Sequence, residues 1–193
     1  LTIDQLKQKN QYFCPQSLFK MHPKFDLFIK RILDKDKKGI ITFVKDREEI
    51  LSKLFYKRLN KNLSNNIERI KFIDRLTPLD FIQYCGRASV LLDPYWFGAG
   101  NSFHESMYYG TPTVSMPTDY MKSRIVTGAY KQMNIKNPPV VNSEEEYADT
   151  CVEIANNGDI DLKMYYKEQA DKYLFENEKF IKNVEEIFIS IAK

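Results

Sequence analysis

With 193 residues, 43% of them apolar and 28% charged, the chain has the composition of a globular protein able to bury a real core. A net charge of +3, spread evenly over 29 basic and 26 acidic residues, argues against a nucleic-acid partner, and no apolar stretch approaches the roughly 20 residues of a membrane span. Cys14, Cys85 and Cys151 stand far apart without metal-ligand spacing, which predicts buried thiols in a reduced, cytoplasmic protein.

The chain opens at Leu1 rather than Met, and Leu1 to Gln11 reads as an internal stretch of a longer protein. Tyr12–Cys14 is a short strand, and the loop behind it carries Gln16, Ser17 and Lys20. Open α/β sheets place ligand groups in such a loop, beyond the carboxyl end of a strand. Pro23 can start a helix whose apolar face is Phe25, Phe28, Ile29, Ile32 and Leu33. Ile40–Val44 has the continuous apolar pattern of a buried strand. A helix follows from Arg47 to Leu59, with Ile50, Leu51, Leu54 and Phe55 expected inward, and then a polar connection, Asn60–Asn66. Ile70–Ile73 is the next strand, and Thr77-Pro78 caps a helix to about Cys85. Beyond the central stretch described below, the pattern predicts a helix from Ser123 to about Met133 and a strand at Pro138–Val141. Ser143 caps an acidic helix, Glu144–Asn156, with Glu146 completing a capping pattern. The remainder, about residues 160–193, is helical with a break near Leu174–Glu176, and these final helices are expected to pack on the rest. Alternating strands and helices predict an α/β fold, a Rossmann-like parallel sheet with helices on both faces, in one domain over residues 1–193.

Val90 to Met116 organises the chain. Val90–Leu92 is an apolar strand ending at Asp93, and a loop with Gly98 and Gly100 leads to Asn101 and Ser102. Phe103–Tyr109 is a short helix stopped by Gly110, and Thr113–Met116 is a second strand. Free N–H groups and the helix dipole converge where the loop enters the helix, which suits a phosphate. Asn101 and Ser102 fit as caps as well as phosphate contacts, and Glu105, on the first turn, fits the paired hydroxyls of a ribose. Lys20, near the ligand end of the sheet, could neutralise a departing diphosphate. His104 is best read as a partly buried packing residue, and neither it nor His22 has metal-ligand neighbours. Phe81, Tyr84, Trp96 and Phe97 are able to stack on a base, although such aromatic runs are more often core. The G-x-G-x-x-G and G-x-x-x-x-G-K-[ST] fingerprints are absent.

Four places together resemble the C-terminal half of the O-linked N-acetylglucosamine transferase family, which includes bacterial enzymes that glycosylate adhesins. They are Cys14-Pro15-Gln16-Ser17-Leu18-Phe19-Lys20 with His22-Pro23, Leu92-Asp93-Pro94 through Gly110-Thr111-Pro112-Thr113-Val114, Met116-Pro117 with Ser123-Arg124, and Leu174-Phe175 with the final helix. The resemblance implies the C-terminal domain of a GT-B glycosyltransferase: a donor-binding half that works with an N-terminal domain of the same enzyme. It implies a UDP-sugar donor, a protein acceptor, no cofactor, and inverting, metal-independent transfer of N-acetylglucosamine or a hexose. It further implies that Lys20 contacts the diphosphate with Gln16 or Ser17 beside it, that Gly100, Asn101 and Ser102 hold the diphosphate, that Glu105 binds ribose, and that Leu76 to Phe81 lies against uracil. The chain departs from the family pattern in having Gly100-Asn101-Ser102 where His-Thr-Thr is common, Glu for Asp at 105, and Phe81 for a histidine near the base. A UDP-sugar epimerase of the same architecture and a non-catalytic interaction module remain alternative readings.

Overall fold

The structure is a computed structural model that describes residues 1–175 and 177–192. A short helix, α1 (Ile3–Leu6), precedes an alternation of strands and helices: β1 (Gln11–Cys14), α2 (Phe25–Lys35), β2 (Ile40–Val44), α3 (Glu49–Leu63), β3 (Ile70–Ile73), α4 (Pro78–Arg87), β4 (Val90–Leu92), α5 (Asn101–Met107) and β5 (Thr113–Val114). Four helices complete the chain: α6 (Ile125–Gln132), α7 (Glu144–Asn157), α8 (Ile160–Tyr173) and α9 (Glu178–Ile191). All strand pairs are parallel, in the order β3-β2-β1-β4-β5. The chain winds outward from β1 to β3 and then crosses to the opposite side at β4. The switch point therefore falls between β1 and β4, where adjacent loops diverge and leave a crevice at the carboxyl ends.

Strand residues alternate between two cores. Tyr12, Cys14, Ile41, Phe43, Val90, Leu92 and Val114 point to one face, beneath α2, α3 and α7. Phe13 and Leu91 point to the other, against Cys85 and Ala88 at the end of α4. Both faces are covered, which explains why the strands are apolar throughout. A third cluster joins Phe103 and Met107 of α5 to Val126, Ala129 and Tyr130 of α6 and to Tyr166 and Ala170 of α8. The three cysteines are buried and unbridged.

Several elements differ from the sequence pattern, each for a local reason. The stretch Pro138–Val141 makes only an isolated bridge, Val140 against Ser115, because two successive prolines offer no N–H to a ladder. Helix α3 continues to Leu63 through the stretch expected to be a connection, since Leu59 and Leu63 extend its buried stripe from Phe55. Its N-terminal half rolls away from the core instead, leaving Ile50 and Leu54 exposed. Of the two final helices, α8 packs through Lys163, Tyr166 and Ala170, whereas α9 has no buried residue. The expected packing of α9 is thus not found: Phe180, Ile181, Phe188 and Ile191 lie along it uncovered by the described residues. No described helix is long and apolar enough to cross a membrane.

Candidate functional site

At the carboxyl ends of β1, β2 and β3 lies a cavity of about 270 Å³, lined by Pro15, Gln16, Ser17, Val44, Lys45, Asp46, Arg75, Leu76, Pro78, Phe81 and Glu105. Five residues singled out from sequence therefore share one cavity: Gln16, Ser17, Leu76, Phe81 and Glu105. They arrive from four places in the chain. Gln16 and Ser17 follow β1, Leu76 follows β3, Phe81 belongs to the first turns of α4, and Glu105 projects from α5. Thr77 caps α4 by accepting from the Asp80 amide at 3.2 Å, which fixes the helix that presents Phe81. Phe81 keeps one side against Phe13, with ring centroids 6.2 Å apart.

Lys20 does not line this cavity but reaches it through Gln16. Its Nζ donates to Gln16 Oε1 at 2.8 Å and to the Gly98 carbonyl at 3.1 Å, and it lies 4.4 Å from the centre of the Phe97 ring. Gln16 is buried, and its Nε2 donates to Ser102 Oγ at 2.5 Å. One amide thus ties the loop after β1 to the first turn of α5. In this arrangement Gln16 orients Lys20 and Ser102, since its oxygen and nitrogen are both engaged by protein. Partial burial lowers the Lys20 pKa, opposed by the nearby Asp93 carboxylate.

Helix α5 begins two residues earlier than its pattern suggests. Gly100 is its N-cap, no side chain caps it, and Asn101 and Ser102 occupy its first turn. A Cβ on Gly100 would meet nothing within 4 Å, so the space on that side of the N-cap is open. Asn101 is exposed at this rim. The helix buries Phe103, Ser106 and Met107, a spacing that turns His104 and Glu105 to the opposite, exposed side. His104 is therefore not the packing residue expected of it. Its Nδ1 lies 3.4 Å from the Gly100 carbonyl.

Asp93 was not singled out in the sequence, although it ends β4 at the start of the glycine loop. It is buried, accepts from the Ala99 amide at 2.6 Å and from Ser115 Oγ at 2.5 Å, and holds the loop that delivers Gly98 to Lys20. Burial pushes its carboxyl pKa up to about 6 against the pull of those hydrogen bonds and of Lys20. Gly98 is required here, because a Cβ would come within 2.8 Å of the Asp93 carboxylate. Lys45, Asp46 and Arg75 were missed as well; each lies one or two residues past a strand, the placement rule that identified Gln16 and Ser17. Among the described residues no group of three or more His, Cys, Asp or Glu could hold a metal ion.

No protein-family model matches the sequence, and no curated protein does. Solved structures do. An O-GlcNAc transferase mutant from Thermobaculum terrenum superposes with a TM-score of 0.81 at 15% identity, covering 94% of this chain and 36% of that one. The chain has the Rossmann-like α/β fold of part of that protein. TarM from S. aureus, solved with UDP, an α-GlcNAc-glycerol and fondaparinux, is similar over 94% of this chain and 36% of its own, with a TM-score of 0.64 and 14% identity. The pneumococcal O-GlcNAc transferase GtfA, solved with UDP and GlcNAc, gives 0.57 at 15% identity over 92% of this chain and 35% of its own. The chain thus spans about a third of the length of these proteins. The resemblance drawn from sequence motifs is borne out at the level of the fold.

Proposed function

We propose that this chain is the donor-binding part of a UDP-sugar glycosyltransferase that modifies a protein side chain. The observation that carries the reading is the junction of the 270 Å³ cavity with the Lys20–Gln16–Ser102 chain, at the crevice where parallel α/β sheets bind ligands. Uracil would enter between Leu76 and Phe81, with Glu105 accepting from the ribose hydroxyls. The diphosphate would then reach the open first turn of α5 at Gly100, Asn101 and Ser102, next to Lys20. That two of the similar proteins were solved with UDP supports the choice of nucleotide.

Negative charge develops on UDP as the sugar–oxygen bond breaks. A fixed ammonium and unpaired amides aimed at that point stabilise the transition state more than the ground state. Because Lys20 and the helix start supply the positive charge, the reading calls for no metal, and the acceptor attacks from the face opposite the departing UDP, inverting the anomeric centre. The groups that bind the acceptor, and the N-terminal half of the site, would come from a further domain.

A thermal-unfolding panel with UDP, GDP, dTDP and their sugars tests the reading. UDP at a hundred times its dissociation constant should stabilise the chain by about 2.7 kcal/mol. GDP and dTDP should do less at equal concentration. A chain indifferent to every nucleotide would be the interaction module instead.

A further inference from the structure

A second cleft, of about 480 Å³, opens on the same edge of the sheet but beyond β4 and β5, and its walls include Tyr95, Trp96, Met116, Asp119, Tyr120 and Asn142. Three aromatic rings meet there: Trp96 lies 4.9 Å from Tyr95 and 5.3 Å from Tyr120, centre to centre. Tyr120, Asp119 and Asn142 are exposed, so a carboxylate and an amide stand beside half-covered ring faces. Flat apolar surface flanked by a few hydrogen-bonding groups matches a pyranose ring, which has a C–H face and a rim of hydroxyls. Trp96 also carries two costs. Its backbone is held at φ +80°, in the region that favours glycine, and its buried indole N–H finds no acceptor among the described residues. Such costs concentrate at ligand sites.

Position supplies the link to the donor. The first cavity lies over β1, β2 and β3, the aromatic cleft over β4 and β5, and the Lys20–Gly98–Ser102 junction lies between. The strand order separates the middles of the two pockets by two to three inter-strand steps, about 12 Å. A nucleoside diphosphate sugar extends over such a span from base to sugar ring. One loop, residues 94–100, joins the two: its glycine end meets Lys20, while Gly98 N donates to the Lys122 carbonyl at 3.0 Å, next to Tyr120.

We propose that the Tyr95–Trp96–Tyr120 cleft is the subsite for the sugar ring of the donor, with Asp119 and Asn142 reading its hydroxyls. The assignment rests on the UDP-sugar reading above and adds to it the residues that select the sugar.

Trp96 is the chain's only tryptophan, so emission excited selectively from tryptophan reports this cleft alone. Titrations with UDP, UDP-N-acetylglucosamine and UDP-glucose, followed by tryptophan emission and in parallel by calorimetry, test the subsite. A UDP-sugar should shift or quench Trp96 emission well beyond the effect of UDP at equal saturation. Tyr120→Ala and Asn142→Ala, which keep Trp96, should each weaken the preferred UDP-sugar about five- to tenfold and leave UDP affinity within twofold. Calorimetric binding of UDP-sugar that leaves Trp96 emission no different from UDP, or equal losses for UDP and UDP-sugar in Tyr120→Ala, would overturn the subsite while leaving the nucleotide reading intact. No binding heat with any of the three overturns the nucleotide reading and the subsite with it.

Discussion

At the scale of single residues, Asp93 has the most to lose from titration. A carboxyl whose pKa is raised on folding, here to about 6, contributes stability that is fully present below its unfolded value near 3.8 and is lost as pH rises through 6. The chain should therefore surrender on the order of 2–3 kcal/mol from this group between pH 4 and 7. Asn at this position can still accept from the Ala99 amide and donate to Ser115 without a charge. Urea midpoints across that range should show Asp93→Asn with a flatter profile than the wild type, and at least as stable at pH 7. Asp93→Ala instead leaves the Ala99 amide unpaired and should cost about 2 kcal/mol. Lys20 differs because its partners are weak acceptors: Gln16 and a carbonyl hold it in place without neutralising it. Lys20→Ala in an enzyme that includes the rest of the active site should lower kcat by two orders of magnitude or so, with a smaller change in KM. Steady-state kinetics decide, and an unchanged kcat would remove Lys20 from the chemistry. Lys20 and Glu105 were legible because they follow directly from a strand end and a helix start. Asp93 was not, since a lone Asp after a strand looks like any turn residue until Ala99 and Ser115 fold onto it.

At the scale of elements, the contact between α5 and α8 explains the Gly110-Thr111-Pro112 sequence. Gly110 ends the turn after α5 at φ +66°, and a Cβ there would lie 1.9 Å from the Lys163 carbonyl. Lys163, in turn, is buried with its Nζ donating to the carbonyls of Leu6, Gly86 and Ala88 at 2.9, 2.8 and 2.7 Å. It draws together α1, the end of α4 and α8 across distant parts of the chain. Gly110→Ala combines a left-handed backbone with a collision against main chain, so a loss of about 3 kcal/mol or more is expected in chemical denaturation. A midpoint unchanged from wild type would mean that α8 can slide away from the turn. The glycine was visible in sequence as a helix stop, but its close approach to α8 was not, because the two are separated by more than fifty residues. The same limit applies to α5. Local pattern placed its start at Phe103, whereas it starts at Asn101, with Ser102 of the first turn tied to Gln16 from the far side of the switch point. It also turned His104 outward, against the expectation drawn from its neighbours.

At the scale of the whole molecule, apolar runs and the regular alternation of periods were enough to specify a parallel sheet with both faces covered. Strand order was not readable from those runs; it follows from the crossover after β3, which places β4 beside β1 and opens the crevice between them. The proposed nucleotide cavity forms beside it, over β1, β2 and β3, from loops that are far apart in sequence. Sequence could name Gln16, Ser17, Leu76, Phe81 and Glu105 separately, yet only the topology shows them around one space. The most direct measurement of the central claim is a calorimetric titration of UDP into the chain and into its Glu105→Ala variant, both confirmed folded by their unfolding midpoints. The account predicts UDP binding by the wild type and at least tenfold weaker binding by Glu105→Ala, the loss of a charged acceptor for ribose hydroxyls. No UDP binding by the wild type, or equal affinity in the two proteins, would contradict it.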